Sequence, residues 1–238
     1  MNDERSKMKK IGMIGGLSWV STAAYYQRLN EIAQDRVGGV TSAHIILESV
    51  NRERYVEYVI RQKREDAACE MILSAAKSVE AGGAEFIVIS CNDVHRFVPT
   101  VAPQVTIPFL HIAEVTAQAI KQQSLSKVAL LGVMKTMEGD FYQGILKQHG
   151  IDTLVPEPEE RAYAHDKIMD EMVANVFTDE TKSGYLDLIG VLNQRGAEGV
   201  ILGCTEIPLL LNADEIPILS FSTTELHCQA AIEHALAN

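Results

Sequence analysis

The sequence predicts an α/β protein of two similar three-layer α/β domains, with mainly parallel sheets facing each other across a cleft. A strand-then-cysteine unit occurs twice, as Glu85-Phe86-Ile87-Val88-Ile89-Ser90-Cys91-Asn92-Asp93 and as Glu198-Gly199-Val200-Ile201-Leu202-Gly203-Cys204-Thr205-Glu206. Each copy is a short apolar run, as expected of a strand buried on both faces, and each follows a helix that stops at glycine, Gly82-Gly83 or Gly196. Each also lies a similar distance after an earlier strand: 80 positions separate Ile11 from Cys91, and 76 separate Val128 from Cys204. In open α/β sheets ligands sit outside the carboxyl ends of the strands. Two cysteines at two such ends are therefore candidates to share one cleft.

The elements follow in order. Ile11 to Ile14 reads as the first strand, Gly15-Gly16 as a tight turn, and Ser18 or Ser21 as the cap of a helix running to about Arg36. A glycine turn feeding a helix N-terminus suits an anion, although the spacing is not the G-x-G-x-x-G of a dinucleotide site. Ala43 to Val50 is the second strand, and a helical stretch from about Arg52 to Ala81 breaks near Gln62. Within it Tyr55, Val59, Ile60, Ala68, Met71, Ile72, Ala75 and Val79 recur at helical spacing, so Tyr55 and Cys69 read as packing. After Cys91 a loop carrying Pro99, Pro103 and Pro108 is expected, then a short strand Phe109 to Ile112 and a helix to about Gln123.

The pattern then restarts, Lys127 to Gly132 echoing Lys10 to Gly15. Thr136 reads as the cap of a helix ending at Gly150. A strand Asp152 to Val155 precedes helices from about Glu159 to Phe177 and from Asp179 to Arg195. Ile216 to Phe221 is the last strand, and Ser222-Thr223-Thr224-Glu225 forms a capping box for a final helix in which Cys228 packs. The expected division is residues 1–112 plus 217–238 for the first domain and 113–216 for the second, with 1–9 a flexible leader.

Composition excludes several classes of function. With 21 basic against 32 acidic residues the net charge is −11, which disfavours nucleic acid or an anionic membrane as partner. No apolar stretch approaches the roughly 18–20 residues that span a bilayer. The four cysteines lack C-x-x-C spacing and no export signal precedes them, so reduced thiols in a cytoplasm are expected. No metal or other cofactor is expected, because paired metal ligands, a P-loop and a dinucleotide fingerprint are all missing from the sequence.

Two thiols on opposite sides of a carbon suit one reaction class. One thiolate removes a proton from one face and the other thiol delivers a proton to the opposite face, inverting the centre without a cofactor. Asn92, Asp93, Thr205 and Glu206 beside the cysteines offer groups to orient a small polar substrate. A single Cys91–His95 nucleophilic pair is the competing chemistry, but it leaves Cys204 unexplained.

At these residues the sequence resembles the aspartate/glutamate racemase family of cofactor-independent amino-acid racemases. The resemblance rests on Ile11-Gly12-Met13-Ile14-Gly15-Gly16-Leu17-Ser18-Trp19, Cys91-Asn92-Asp93-Val94-His95 and Gly203-Cys204-Thr205-Glu206-Ile207. Pro108 to Ile112 and Met137 to Tyr142 add to it. It implies two like α/β domains, Cys91 and Cys204 as the two bases, Ser18, Asn92 and Thr205 as ligands of the substrate's amino and carboxylate groups, and a homodimer. Arg52 matches a basic residue that the family's acidic-substrate enzymes place against a side-chain carboxylate. The later basic position falls on Tyr163, with Lys167 one turn on. Asp93 stands where the family's C-N-T-x-H motif carries threonine, and an ionised aspartate there repels an anionic substrate and disfavours the nearby thiolate. The implied function is racemisation or epimerisation of a small, aspartate- or glutamate-like amino acid. The alternatives are a thiol-dependent isomerase or decarboxylase of a small carboxylate, or a non-catalytic binding relative altered at Asp93.

Overall fold

A computed structural model describes residues 8–237. The chain divides into two compact units, one ending at His111 and resuming at His227, the other Ile112–Leu226. In the first unit the elements are β1 (Ile11–Gly15), α1 (Trp19–Val37), β2 (Ile45–Ser49), α2 (Arg52–Val56), α3 (Glu65–Ala81), β3 (Phe86–Ile89) and α4 (Val98–Val101). Their three strands are parallel in the order β2-β1-β3, with Ile11 opposite both Ile45 and Phe86.

Alternation along β1 and β3 sends side chains to two covered faces. Ile14, Ile87 and Ile89 pack with Ile72, Ala76 and Val79 of α3. Ile11, Met13, Phe86 and Val88 pack with Tyr25 and Leu29 of α1 and with Cys228, Ala231 and Ile232. Three layers result, as expected for a parallel sheet. Gly16 makes the turn out of β1 at φ 83°, where a Cβ would stand 2.1 Å from the Val50 carbonyl oxygen, so only glycine fits.

The second unit comprises α5 (Ile112–Gln122), β4 (Lys127–Leu131), α6 (Met134–Glu138), α7 (Asp140–Gln148), β5 (Asp152–Leu154), α8 (Pro158–Asp170), α9 (Asp179–Gln194), β6 (Gly199–Leu202), α10 (Ile207–Leu210) and β7 (Leu219–Ser222). The last helix, α11 (Thr223–Leu236), begins here and continues into the first unit. The sheet is parallel in the order β5-β4-β6-β7. Ala129, Leu131, Val200 and Leu202 face Ile168 of α8 and Tyr185 and Ile189 of α9. Val128, Leu130 and Ile201 face Ile120 of α5 and Tyr142 and Leu146 of α7.

Several expectations shift. Residues 93–104 are short helical turns rather than a loop, because Pro99 and Pro103 sit in first turns where a missing N–H costs nothing. Phe109 makes a single bridge to Ile87 instead of a strand, and Ile112 already belongs to α5. Thr136 lies inside α6, and Gly139, in an extended conformation, divides α6 from α7. The stretch Glu159 to Phe177 ends its α-helix at Asp170, followed by one tighter turn over Met172–Ala174. Residues 217–226 had been placed with the first domain, yet β7 hydrogen bonds to β6 in the second sheet and only from His227 does the chain rejoin the first unit. Of the expected leader, residues 1–7 lie outside the described residues, whereas Met8 packs on the first core and the Lys9 N–H donates to the Ala235 carbonyl at 2.9 Å.

Buried histidines gather in the first unit. The His95 ring lies edge-on to His111 and His227, at centroid separations of 4.9 and 5.6 Å. His227 Nε2 meets the Leu110 carbonyl at 2.9 Å, so that nitrogen donates, and Nδ1 accepts from the Tyr25 hydroxyl at 3.1 Å. Burial pushes the His227 pKa down to about 4. His95 is also lowered well below its ordinary value, by burial and then by its two histidine neighbours. Because the folded state resists protonation while the unfolded chain titrates near 6.5, stability is level above neutrality and falls as pH drops below about 6.5, levelling only near the folded pKa. His227 alone is expected to remove about 2 kcal/mol between pH 7.5 and pH 5. Urea unfolding of wild type and His227→Gln at both pH values checks this, and equal losses in the two proteins would clear His227 of the effect.

Candidate active site

The strand order of the first sheet places five expected site residues at three neighbouring carboxyl ends. Ser18 follows β1, Arg52 follows β2, and Cys91 with Asn92 and Asp93 follows β3. Ser18 is the N-cap of α1, its Oγ accepting from the Ser21 N–H at 3.4 Å. The end of β3 is pinned to that helix. Ser90 N–H donates to the Ile14 carbonyl at 3.0 Å, the Ser90 carbonyl accepts from the Ser21 hydroxyl at 3.1 Å, and the Ser90 and Thr22 hydroxyls lie 3.2 Å apart. Cys91 is thus delivered, half-buried, from a rigid strand end beside the start of a 19-residue helix. Arg52 opens α2, half-buried, and makes no ion pair with any described residue.

His95 is bonded to the backbone of the cysteine turn. It is fully buried, and its Nδ1 meets the Cys91 backbone carbonyl at 2.8 Å, where it must donate. A lowered pKa and a backbone partner make it a neutral support of the cysteine turn.

Asp93 does not present a bare charge. Its Oδ2 accepts from the Tyr55 hydroxyl at 2.8 Å and faces Arg96 at 2.5 Å, and its side chain is 14% exposed. Its other oxygen, Oδ1, is buried with no hydrogen-bond partner among the described residues, so Tyr55 and Arg96 compensate one side of the carboxylate. Burial first, and then the Asp93 charge, raise the Tyr55 pKa well above its ordinary value, with Cys91 close enough to add to the shift. Tyr55 and Arg96 are site residues that sequence reasoning missed. Tyr55 matched the apolar helical spacing and so was read as core, although its position three residues after Arg52 on one helical face was a usable signal.

In the second unit Cys204 follows β6, half-buried. Gly203 brings this turn close to β4, since a Cβ there would lie 2.6 Å from the Leu131 carbonyl oxygen. Glu206 is 2% exposed, and its Oε2 accepts from the Cys204 thiol at 3.1 Å and from the Thr205 hydroxyl at 2.7 Å. Its other oxygen, Oε1, is buried with no hydrogen-bond partner. Thr205 therefore donates to Glu206, with its hydroxyl oxygen still able to accept. Tyr185 of α9 lies behind this turn. Burial first, then Cys204, raise its pKa, and its hydroxyl donates to the Ala164 carbonyl at 2.6 Å. Lys167 is engaged by Glu171, which also accepts from the Thr181 hydroxyl, so this cation is already compensated. Tyr163 lies across α9 at Gly184, where any Cβ would meet its hydroxyl at 2.0 Å.

Among the described residues no group of three or more His, Cys, Asp or Glu is arranged to hold a metal ion, and no helix is long and apolar enough to cross a membrane. What both strand ends offer is a half-buried thiol among short polar side chains.

Comparison with known proteins accords with this reading. Residues 14–231 match the Asp/Glu/hydantoin racemase family. A crystal structure of a candidate Asp/Glu racemase from Yersinia pestis is 37% identical, with a TM-score of 0.89, covering 97% of this chain and 100% of that one. An aspartate racemase homologue from Pyrococcus horikoshii OT3 is 31% identical, with a TM-score of 0.83 over 96% of this chain and 99% of its own. The broad specificity amino-acid racemase RacX of Bacillus subtilis is 24% identical over 221 residues, 89% of this chain and 92% of that protein. Two parallel α/β units, a thiol just beyond a fully buried parallel strand in each, and a family match across nearly the whole chain lead to one conclusion: the protein belongs to the Asp/Glu/hydantoin racemase family and is an isomerase, an amino-acid racemase by that membership.

Proposed function

We propose that the protein racemises a small amino acid, aspartate- or glutamate-like, by cofactor-independent two-base proton transfer at the α-carbon. Cys91 and Cys204 act on opposite faces of the substrate. The observation that carries the reading is the matched placement of the two thiols, each on the first turn beyond a fully buried parallel strand. Ser18, Arg52, Asn92 and Thr205 hold the amino and carboxylate groups. The start of α1 supplies a favourable field for a carboxylate. Its RacX relative is described as broad in specificity, so several amino acids belong in the substrate screen. Reduced thiols fit a cytoplasmic protein, and a homodimer is part of the proposal.

The proton inventory balances. The Cys91 thiolate takes the α-proton and becomes a thiol, leaving a carbanion stabilised by the adjacent carboxylate. The Cys204 thiol gives its proton to the opposite face and becomes a thiolate. The opposite enantiomer is processed with the roles exchanged. The Cys204–Glu206 hydrogen bond supports Cys204 as the protonated partner at rest, because a carboxylate accepts from a thiol and disfavours the thiolate. Beside Cys91, Asp93 Oδ2 is shared between Tyr55 and Arg96.

Cys91→Ser and Cys204→Ser are each expected to lower racemisation by at least about 10²–10⁴-fold with far-ultraviolet circular dichroism unchanged. The assay follows formation of the opposite, α-deuterated enantiomer from each single enantiomer in heavy water, and near-wild-type inversion by either variant would remove the two-base mechanism. Dialysis against chelator and treatment with hydroxylamine are expected to leave the rate unaltered. Activity lost and then restored by metal or pyridoxal phosphate would overturn the cofactor-free reading. Glu206→Gln keeps an acceptor for the thiol but deletes the charge. Alkylation of Cys204 by iodoacetamide at pH 7 is expected to quicken by about three- to tenfold, followed by mass spectrometry of the cysteine peptide; an unchanged rate would detach Glu206 from the state of that thiol.

A further inference from the structure

The segment carrying Arg52 is held differently from the rest of its unit. α2 and the π-helical turn that follows it, Glu57–Arg61, contain no buried residue. Most polar contacts within it are internal, such as Arg61 with Glu53 at 2.7 Å and with Glu57 at 2.9 Å. The segment ends at Lys63, with φ at 52°. Tyr55, Tyr58 and Val59 pack only partly buried against the first core, and a stretch with no fully buried residue lies at the low end of local stability, so each further outward contact bears on its position.

One of those contacts is the Tyr55 hydroxyl on Asp93 Oδ2, at 2.8 Å. The same oxygen faces Arg96 Nη1 at 2.5 Å, and Nη1 also donates to the Asp93 carbonyl at 3.0 Å. The rest of the guanidinium reaches the first residue of α3. Nε and Nη2 donate to Glu65 Oε2 at 3.1 and 2.8 Å. Its flat face lies over the Phe97 ring at 4.2 Å and toward the Tyr55 ring at 6.0 Å. Burial works against the Arg96 charge, yet Asp93, Tyr55 and Glu65 more than offset it and raise its pKa. Asp93 thus ties the cysteine turn to the Arg52 segment, and Arg96 carries the link on to the start of α3.

We propose that Asp93 is a positioning residue, the centre of a Tyr55–Asp93–Arg96 latch that fastens the Arg52 segment to the Cys91 turn, and that it does not bind substrate. The latch itself rests on the contacts just named; only its effect on turnover rests on the racemase reading. Arg52 and Tyr55 lie three residues apart on one helical face, so fixing the phenol fixes the cation relative to Cys91. Opening the latch releases Arg52 without touching the thiol, so substrate binding weakens while the proton-transfer step is preserved.

The test uses the full-length protein as Tyr55→Phe, Asp93→Ala and the double variant. Amide hydrogen exchange followed by mass spectrometry is expected to show residues 52–62 exchanging about tenfold faster in Tyr55→Phe, with α1 and α9 unchanged. The double variant is expected to match Asp93→Ala, because both changes break the same contact. α-Deuterium exchange into alanine, serine, aspartate and glutamate supplies the kinetic arm. For whichever of these the wild type exchanges, Tyr55→Phe is expected to raise KM about tenfold at nearly constant kcat. Wild-type exchange protection at residues 52–62 in Tyr55→Phe overturns the latch, and so does an Asp93→Ala protein that keeps wild-type protection but loses turnover. If the wild type exchanges none of the four amino acids while the protection arm behaves as expected, the racemase reading of the site fails and the latch stands. Should Asp93→Ala not fold, Tyr55→Phe decides alone, since it removes one hydroxyl from a half-buried side chain.

Discussion

Parallel pairing with both faces covered is the constraint on which the rest depends. β1 and β3 in one unit and β4 and β6 in the other are sandwiched between helices, so their backbone and side chains are committed to the core. A parallel strand buried this way reaches a polar environment only at its ends. Because every strand in each sheet runs the same way, the turns leaving them gather at one edge. There the chain exchanges apolar residues for cysteine, serine, asparagine and threonine. The core thereby acts as a rigid mount for the small side chains at that edge.

The two thiol turns have similar backbones and different electrostatics. The Cys204 thiol donates to a buried Glu206 oxygen that also accepts from Thr205. Cys91 has His95 beneath it, engaged with its carbonyl rather than its sulfur, and beside it an aspartate whose charge is spent on a tyrosine and an arginine. A reversible inversion needs one donor and one acceptor at any instant. The two-base proposal draws that difference from the unequal surroundings of the two sulfurs.

Charge compensation recurs around both turns. Arg96 is shared by Asp93 and Glu65, Lys167 by Glu171, and Arg161 approaches Glu138 at 3.4 Å. Partly buried cations need partners to remain charged at tolerable free energy. A cation committed in this way is less able to meet a substrate carboxylate, whereas Arg52 carries no such partner among the described residues. The half-exposed segment holding it has little core of its own, and its attachment through Tyr55 joins local stability to the placement of that charge.

Much of this architecture was legible in the amino-acid sequence. The apolar runs at Phe86–Ile89 and Gly199–Leu202, the glycines before them and the repeated spacing identify buried parallel strands ending at Cys91 and Cys204, because hydrophobic periodicity and glycine turns are local signals. Prolines at first-turn positions misled the reading of residues 93–104, since a proline that starts a turn looks in sequence like one that prevents it. The assignment of β7 to the second sheet was not legible either, because a buried strand carries no mark of which neighbour it will pair with. Nor was the state of Asp93. Its neighbours Tyr55 and Glu65 lie 38 and 28 positions upstream, and only the folded chain brings a phenol, a guanidinium and a carboxylate within hydrogen-bonding distance. By itself the sequence determined where the thiols sit along the chain and which strands deliver them. The tertiary structure decided what surrounds each thiol, because electrostatics depends on distances in space that residue spacing does not contain.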